Sequence, residues 1–188
     1  MADDMKIVLS LLDPIVTRTL LAGGIVAART DTIYGLLARA DDEVAVKRVY
    51  QIKDRDEQKS PIVLIADSTQ LYDDVSGALQ KLCNDRWPGP VSIIIPSVDA
   101  PLWLRRENDS IAYRSPDYDD MRQLIDTTGP LIAPSANPEA HEPALSVEEA
   151  IDYFGDLVDV YVDGGQVYDD RPSQLLRVRD DDTVERLR

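Results

Sequence analysis

Short apolar runs recur along the chain, and most end in glycine, proline or small polar residues. Ile25 to Ala28, after Gly23-Gly24, reads as a buried strand. Ile62 to Ala66, Val91 to Ile95 and Leu131 to Ala133 have the same form, while Ser110 to Arg114 alternates like a strand with one polar face. Val158 to Val162, Gln174 to Val178 and Thr183 to Leu187 predict three more. Helical stretches fall between them. Asp13-Pro14 opens one that runs to Leu20, with an N-cap and a first-turn proline. Asp41 or Asp42 opens a second, with Val44, Val46, Val49 and Ile52 as its apolar positions. Ser68 to Trp87 reads as helical in one or two pieces, stopped by Trp87-Pro88-Gly89-Pro90. A proline-flanked loop carrying Trp103, Arg105 and Arg106 follows. Asp117 opens a helix bearing Met121, Leu124 and Ile125, and Ser146 with Glu149 forms a capping box for a helix through Phe154.

Helices alternating with short buried strands predict one α/β domain over 1–188 with a mixed sheet. Two of the strands have unusual ends. Ile25–Ala28 leads into Thr30-Asp31-Thr32, and Leu131–Ala133 leads into Ser135-Ala136-Asn137. Hydroxyls and a carboxylate there suit a small polar ligand. On these stretches alone, turns whose side chains satisfy their own backbone are the plainer reading. Gly35 permits either a positive-φ turn or close backbone approach.

The net charge of −15 rests on 27 Asp and 8 Glu against 15 Arg and 5 Lys. Such a surface repels nucleic acid at long range. Against it, the cations of Lys53-Asp54-Arg55 and Lys59, between a helix and a strand, stand out, although a charge run on its own is a solvated face. One cysteine, Cys83, excludes an internal disulfide, and one cysteine with one histidine, His141, excludes an all-protein zinc site. No apolar run approaches the roughly 18 residues of a membrane span. The acidic start Met1-Ala2-Asp3-Asp4 is unlike a signal or transit peptide, so a cytoplasmic protein is expected.

Taken in order, Thr30-Asp31-Thr32-Ile33-Tyr34-Gly35-Leu36, Lys53-Asp54-Arg55, Trp87-Pro88-Gly89-Pro90, Ala112-Tyr113-Arg114-Ser115-Pro116, Ser135-Ala136-Asn137, Asp163-Gly164-Gly165 and Pro172-Ser173 form a pattern. With these landmarks the sequence resembles the YrdC-like family of threonylcarbamoyl-AMP synthases over almost its whole length. The resemblance implies a single YrdC-like domain, a twisted mixed β-sheet flanked by helices. It also implies a nucleotidyltransferase that converts L-threonine, bicarbonate and ATP, with Mg²⁺ on the ATP phosphates, into threonylcarbamoyl-AMP and pyrophosphate. The product would pass to tRNA threonylcarbamoyl transferase proteins, for modification of the adenosine beside the anticodon, with weak or no direct tRNA binding by this chain.

By position, the resemblance assigns Lys53 and Arg55 to catalysis, and Lys53, Arg55, Lys59, Ser110, Asn137 and Arg188 to ATP. It assigns Thr32, Arg114, Ser135 and Ser173 to threonine. The types suit these roles, since a guanidinium forks onto carboxylate or phosphate and an ammonium is a point charge. Lys53 is expected to be exposed in the cleft, and Tyr34 to pack. Departures from the family pattern are Arg29 for proline, Leu64 where some relatives place a histidine, Glu139-Ala140 for Ser-Gly, Ala144 for a hydroxyl residue and Gln174 for threonine. Two rival readings are a non-catalytic RNA-binding module and a related nucleotidyltransferase using another amino acid. The charge and the retained Lys53, Arg55, Ser135 and Asn137 set disfavour the first.

Overall fold

The computed structural model describes residues 6–106, 109–179 and 181–188. The acidic start, Met1 to Asp4, therefore lies outside the described residues. The strands are β1 (Lys6–Val8), β2 (Val26–Arg29), β3 (Tyr34–Arg39), β4 (Ile62–Leu64), β5 (Val91–Pro96), β6 (Ser110–Arg114), β7 (Leu131–Ile132), β8 (Val160–Val162), β9 (Gln174–Val178) and β10 (Val184–Arg186). The helices are α1 (Pro14–Leu21), α2 (Glu43–Lys53), α3 (Gly77–Arg86), the single turn α4 (Leu102–Arg105), α5 (Asp119–Thr128) and α6 (Val147–Phe154), with 3₁₀ turns at Ser68–Gln70 and Gly155–Leu157.

All ten strands join one mixed sheet in the order β1-β8-β2-β3-β7-β4-β6-β5-β9-β10. Its two faces carry separate cores. On one, Ala27, Leu36, Val63, Ile93 and Tyr113 pack against α2, α3 and α6. On the other, Val26, Leu37, Leu64, Leu131 and Val160 pack against Val16 and Leu20 of α1 and Met121, Leu124 and Ile125 of α5. Those two helices cover only part of the second face. Past β4 it opens, and Ile62, Ile94, Ala112 and Leu175 are only partly covered.

Helix starts follow their caps. Asp13 accepts from the Ile15 amide at 2.9 Å, and Asp42 from Val44 and Ala45 at 3.0 Å each. Ser146 accepts from Glu149 at 3.3 Å, while the Glu149 carboxylate reaches back to the Leu145 amide at 2.8 Å. Three expectations need correction. β3 is a strand that the reading treated only as the tail of the polar motif, because Tyr34 to Ala38 is buried on both faces and shows no alternation. The loop around Trp103 contains α4, and α5 begins at Asp119, with Tyr118 at its cap position, not at Asp117.

Candidate active site

A cavity of about 280 Å³ lies where α5 stops covering the sheet, and Thr32, Arg55, Arg114, Ser135, Ser173 and Arg188 line it. Three elements of the sheet build its floor. β2 delivers the Thr30–Thr32 turn, β6 ends on Arg114, and the segment after β7 carries Ser135. Gly35 allows close approach here: an added Cβ would lie 3.3 Å from the Pro134 carbonyl oxygen, and Gly35 bridges to Ser135. Its φ is not positive, so of the two expectations for Gly35 the close approach holds.

The Thr30–Thr32 turn is a small network. The Thr30 hydroxyl donates to the Ile33 carbonyl at 2.9 Å and lies 3.1 Å from the Thr32 hydroxyl. The Thr30 oxygen also accepts from the Thr32 amide at 3.2 Å, and either hydroxyl can be the donor between the two threonines. Arg114 donates to the same Thr30 oxygen at 3.4 Å. Its Nη2 also lies 3.2 Å from Asp31 Oδ1, with both side chains at most 5% exposed. That ion pair is poorly aligned for hydrogen bonding, and Arg114 Nε and Asp31 Oδ1 have no hydrogen-bond partner among the described residues. Burial pushes the Asp31 carboxyl up and the Arg114 guanidinium down, each opposed by the other's charge. Asp31 Oδ2 accepts from the Asp117 amide at 3.2 Å, which anchors the pair to the chain after β6. A buried guanidinium that lines a cavity is suited to a ligand carboxylate.

Helix α2 positions the cations. Asp54 takes a left-handed conformation (φ 51°, ψ 39°) and ends the helix directly after Lys53. Lys53 then points inward while Arg55 turns toward the cavity. The expectation of an exposed Lys53 fails: it is 2% exposed. Its ammonium donates to the carbonyls of Ser135 and Asn137. Burial lowers its pKa to about 7, and Arg55 adds to that effect. Lys53 thus fixes the Ser135–Asn137 segment from behind rather than lining the cavity. Asn137 is 8% exposed, and its amide donates to the Pro138 and His141 carbonyls at 3.0 and 2.8 Å.

The opposite wall comes from the chain after β8. Tyr34 is buried, as expected; its hydroxyl donates to Gly165 at 2.9 Å and accepts from the Gly164 amide at 3.0 Å. An added Cβ on Gly164 would lie 2.7 Å from Arg29 Cβ. Arg29 donates to the Gly164 carbonyl at 3.2 Å and to that of Gln166 at 3.4 Å, so it staples this turn. Downstream, the buried Ser173 hydroxyl lies 2.9 Å from Ser92 Oγ and accepts from Arg188 at 3.3 Å.

The remaining expected residues lie apart from the cavity. Ser110 lines a neighbouring groove of about 490 Å³ with Ile94, Ala112 and Arg177. Ala112 pairs in register with Ile62, which lines the first cavity, so the two spaces adjoin on one sheet face. Lys59 is on the surface, ion-paired with Glu139. Leu64 and Ala144 are fully buried and apolar, whereas Gln174 is exposed at the rim of an outer cleft. Cys83 is buried and its thiol is pushed up to about 11, which removes it as a nucleophile. Thr30, Asp31 and Ser92 support the site although the positional resemblance assigns them no role. Only the run Thr30-Asp31-Thr32 signalled two of them; Ser92 carried no signal.

A family model described as "Telomere recombination", for Sua5, YciO and YrdC proteins, matches residues 18–188. The chain is 34% identical over 167 residues to the threonylcarbamoyl-AMP synthase of Marinobacter nauticus, covering 86% of this chain and 88% of that protein. It superposes on P. abyssi Sua5 complexed with L-threonine with a TM-score of 0.83 and 28% identity. That match covers 92% of this chain and 54% of the Sua5 chain, so this chain spans about half of that protein. E. coli YciO shares the fold, with a TM-score of 0.85, 21% identity and coverage of 98% and 94%.

Proposed function

This chain belongs to the Sua5/YciO/YrdC family, and from that membership we propose that it joins L-threonine, bicarbonate and ATP into threonylcarbamoyl-AMP and pyrophosphate. The observation that carries this reading is the one cavity shared by Arg114, Thr32, Ser135, Ser173, Arg55 and Arg188. Arg114 takes the threonine carboxylate. The Thr32, Ser135 and Ser173 oxygens hold the ammonium and side-chain hydroxyl. The threonine ammonium gives up one proton, with which bicarbonate dehydrates to carbon dioxide and water; the free amine then adds the carbon dioxide and loses a second proton to become a carbamate. A carbamate oxygen then attacks the α-phosphorus as the bond to the β-phosphate oxygen breaks, and pyrophosphate leaves with that electron pair. Such a transfer needs positioning and positive charge more than a protein nucleophile.

Arg55 and Arg188 supply cations at the cavity, and Lys53 holds the Ser135–Asn137 backbone against the reacting groups. From Arg114 to Ser110 along β6 is about 13 Å at strand spacing, which suits an amino acid at one end and an adenosine in the Ser110 groove at the other. Among the described residues no cluster of three or more His, Cys, Asp or Glu could hold a metal. The reading has Mg²⁺ arrive on the ATP phosphates. Among the described residues no helix is long and apolar enough to cross a membrane; the cytoplasm is the compartment proposed for the enzyme. It hands its adenylate to separate tRNA threonylcarbamoyl transferase proteins. Labelled bicarbonate tests the reading: label should enter an adenylate only with threonine and ATP present. Label incorporation with another amino acid in preference to threonine would favour the alternative nucleotidyltransferase.

A further inference from the structure

We propose that Arg106 is a further phosphate-binding residue, which with Arg55 receives the β- and γ-phosphates of the nucleotide and hence the departing pyrophosphate. This rests on the synthase reading for its substrate, and on four independent observations for the site itself.

The first is the backbone. Arg106 follows α4 at φ 56°, ψ −137°, a positive-φ conformation that favours glycine. A non-glycine residue held there marks strain, and strain of this kind clusters at ligand sites. The second is the stacking. The Arg106 guanidinium carbon lies 4.7 Å from the Tyr50 ring centroid and that of Arg55 lies 5.5 Å from the same centroid. One buried tyrosine thus gathers two like charges, an arrangement that repels unless an anion joins it. The third is the lack of partners. The Nε atoms of both arginines are buried without a hydrogen-bond partner among the described residues. Arg55 has one long bond, 3.4 Å to the Ser60 carbonyl, and the Arg106 guanidinium donates none among the described residues. The fourth is charge. Acidic side chains outnumber basic ones by 35 to 20, yet neither arginine has a carboxylate partner among the described residues. Elsewhere Arg48, Arg105, Arg122, Arg171, Arg177 and Arg179 all do.

The direction follows from Arg55, which both lines the cavity and stands on Tyr50. Arg114 marks the amino-acid end of that cavity. In-line displacement sends the leaving group away from the attacking oxygen, and so past Arg55 toward Tyr50 and Arg106. Two planar forks then replace the hydrogen bonds that pyrophosphate makes to water.

The test is Arg106→Gly, because glycine accepts this backbone, so that removing the side chain adds no strain. Calorimetric titration of the full chain with magnesium pyrophosphate, and separately with AMP, reads binding without turnover. Pyrophosphate affinity should fall at least tenfold, AMP affinity should change less than twofold, and the melting temperature should hold or rise. In turnover, KM for ATP should rise while KM for threonine stays within twofold. Arg106→Lys should recover only part of the pyrophosphate affinity, since it restores charge without the fork. Unchanged pyrophosphate affinity with a lowered melting temperature would mean that the guanidinium only supports Tyr50, and would overturn the proposal. So would an equal loss of AMP affinity, which would put Arg106 at the nucleoside end. If pyrophosphate binding depends on Arg106 and no adenylate forms, the phosphate site stands and the synthase reading falls.

Discussion

Lys53 offers a sharp physical test, because its burial makes folding sensitive to pH. An unfolded-state lysine titrates near 10.4, whereas burial lowers Lys53 to about 7 in the fold. Between those values the unfolded chain binds the extra proton, so stability rises with pH across that window. Integrated from pH 7 to pH 9, the gain is about 2 kcal/mol. Lys53→Met keeps the bulk and deletes the titration, so other groups cancel when the two proteins are compared. Urea unfolding of both at pH 7, 8 and 9 should show wild type gaining about 2 kcal/mol on the variant over that range. A difference that stays flat would refute the reasoning, because it would mean that the ammonium titrates as if solvated. The same variant leaves the Ser135 and Asn137 carbonyls without their donor. A displacement of about 1 Å in such a segment is enough for a roughly hundredfold loss of turnover.

Arg114→Lys should raise KM for threonine at least tenfold and leave KM for ATP within twofold, since an ammonium cannot fork onto a carboxylate; a shift in ATP alone would misplace Arg114. Asp31→Asn should raise KM for threonine with less effect on kcat, by letting the Arg114 side chain wander, and steady-state kinetics separate the two effects. Glu139→Gln releases Lys59 from its ion pair and should lower KM for ATP by a few-fold, an effect that fades in about 1 M salt, where screening reaches about 3 Å. Direct tRNA binding should be no tighter than about 10⁻⁵ M at physiological salt, and titration of labelled tRNA at two salt concentrations checks this; submicromolar, salt-sensitive binding would reopen the RNA-module reading.

The fold was legible where local chemistry decides it. Asp13, Asp42 and Ser146 cap the helices expected of them. The strands ending at Ala28 and Ile95 are apolar runs with clear breaks. β3 was not legible, because a strand buried on both faces has no two-residue period to detect. Of the threonine set, Thr32, Arg114, Ser135 and Ser173 do meet in one cavity. What the sequence hid was partnership. Asp31 and Arg114 are distant in the chain, and only the pairing of β2, β3, β7, β4 and β6 brings them together. Lys53 misled for a related reason: a lysine is a surface residue by default, and only the fold reveals two carbonyls waiting for it. Lys59 was legible as a cation but not as one already engaged by Glu139, since that contact depends on how two loops meet.

The central claim is a three-substrate adenylation, and pyrophosphate release with each substrate omitted in turn measures it most directly. With ATP, Mg²⁺, threonine and bicarbonate all present, pyrophosphate should accumulate in step with threonylcarbamoyl-AMP, and omission of any substrate should reduce it to background. Equal release without threonine, or without bicarbonate, would contradict the account.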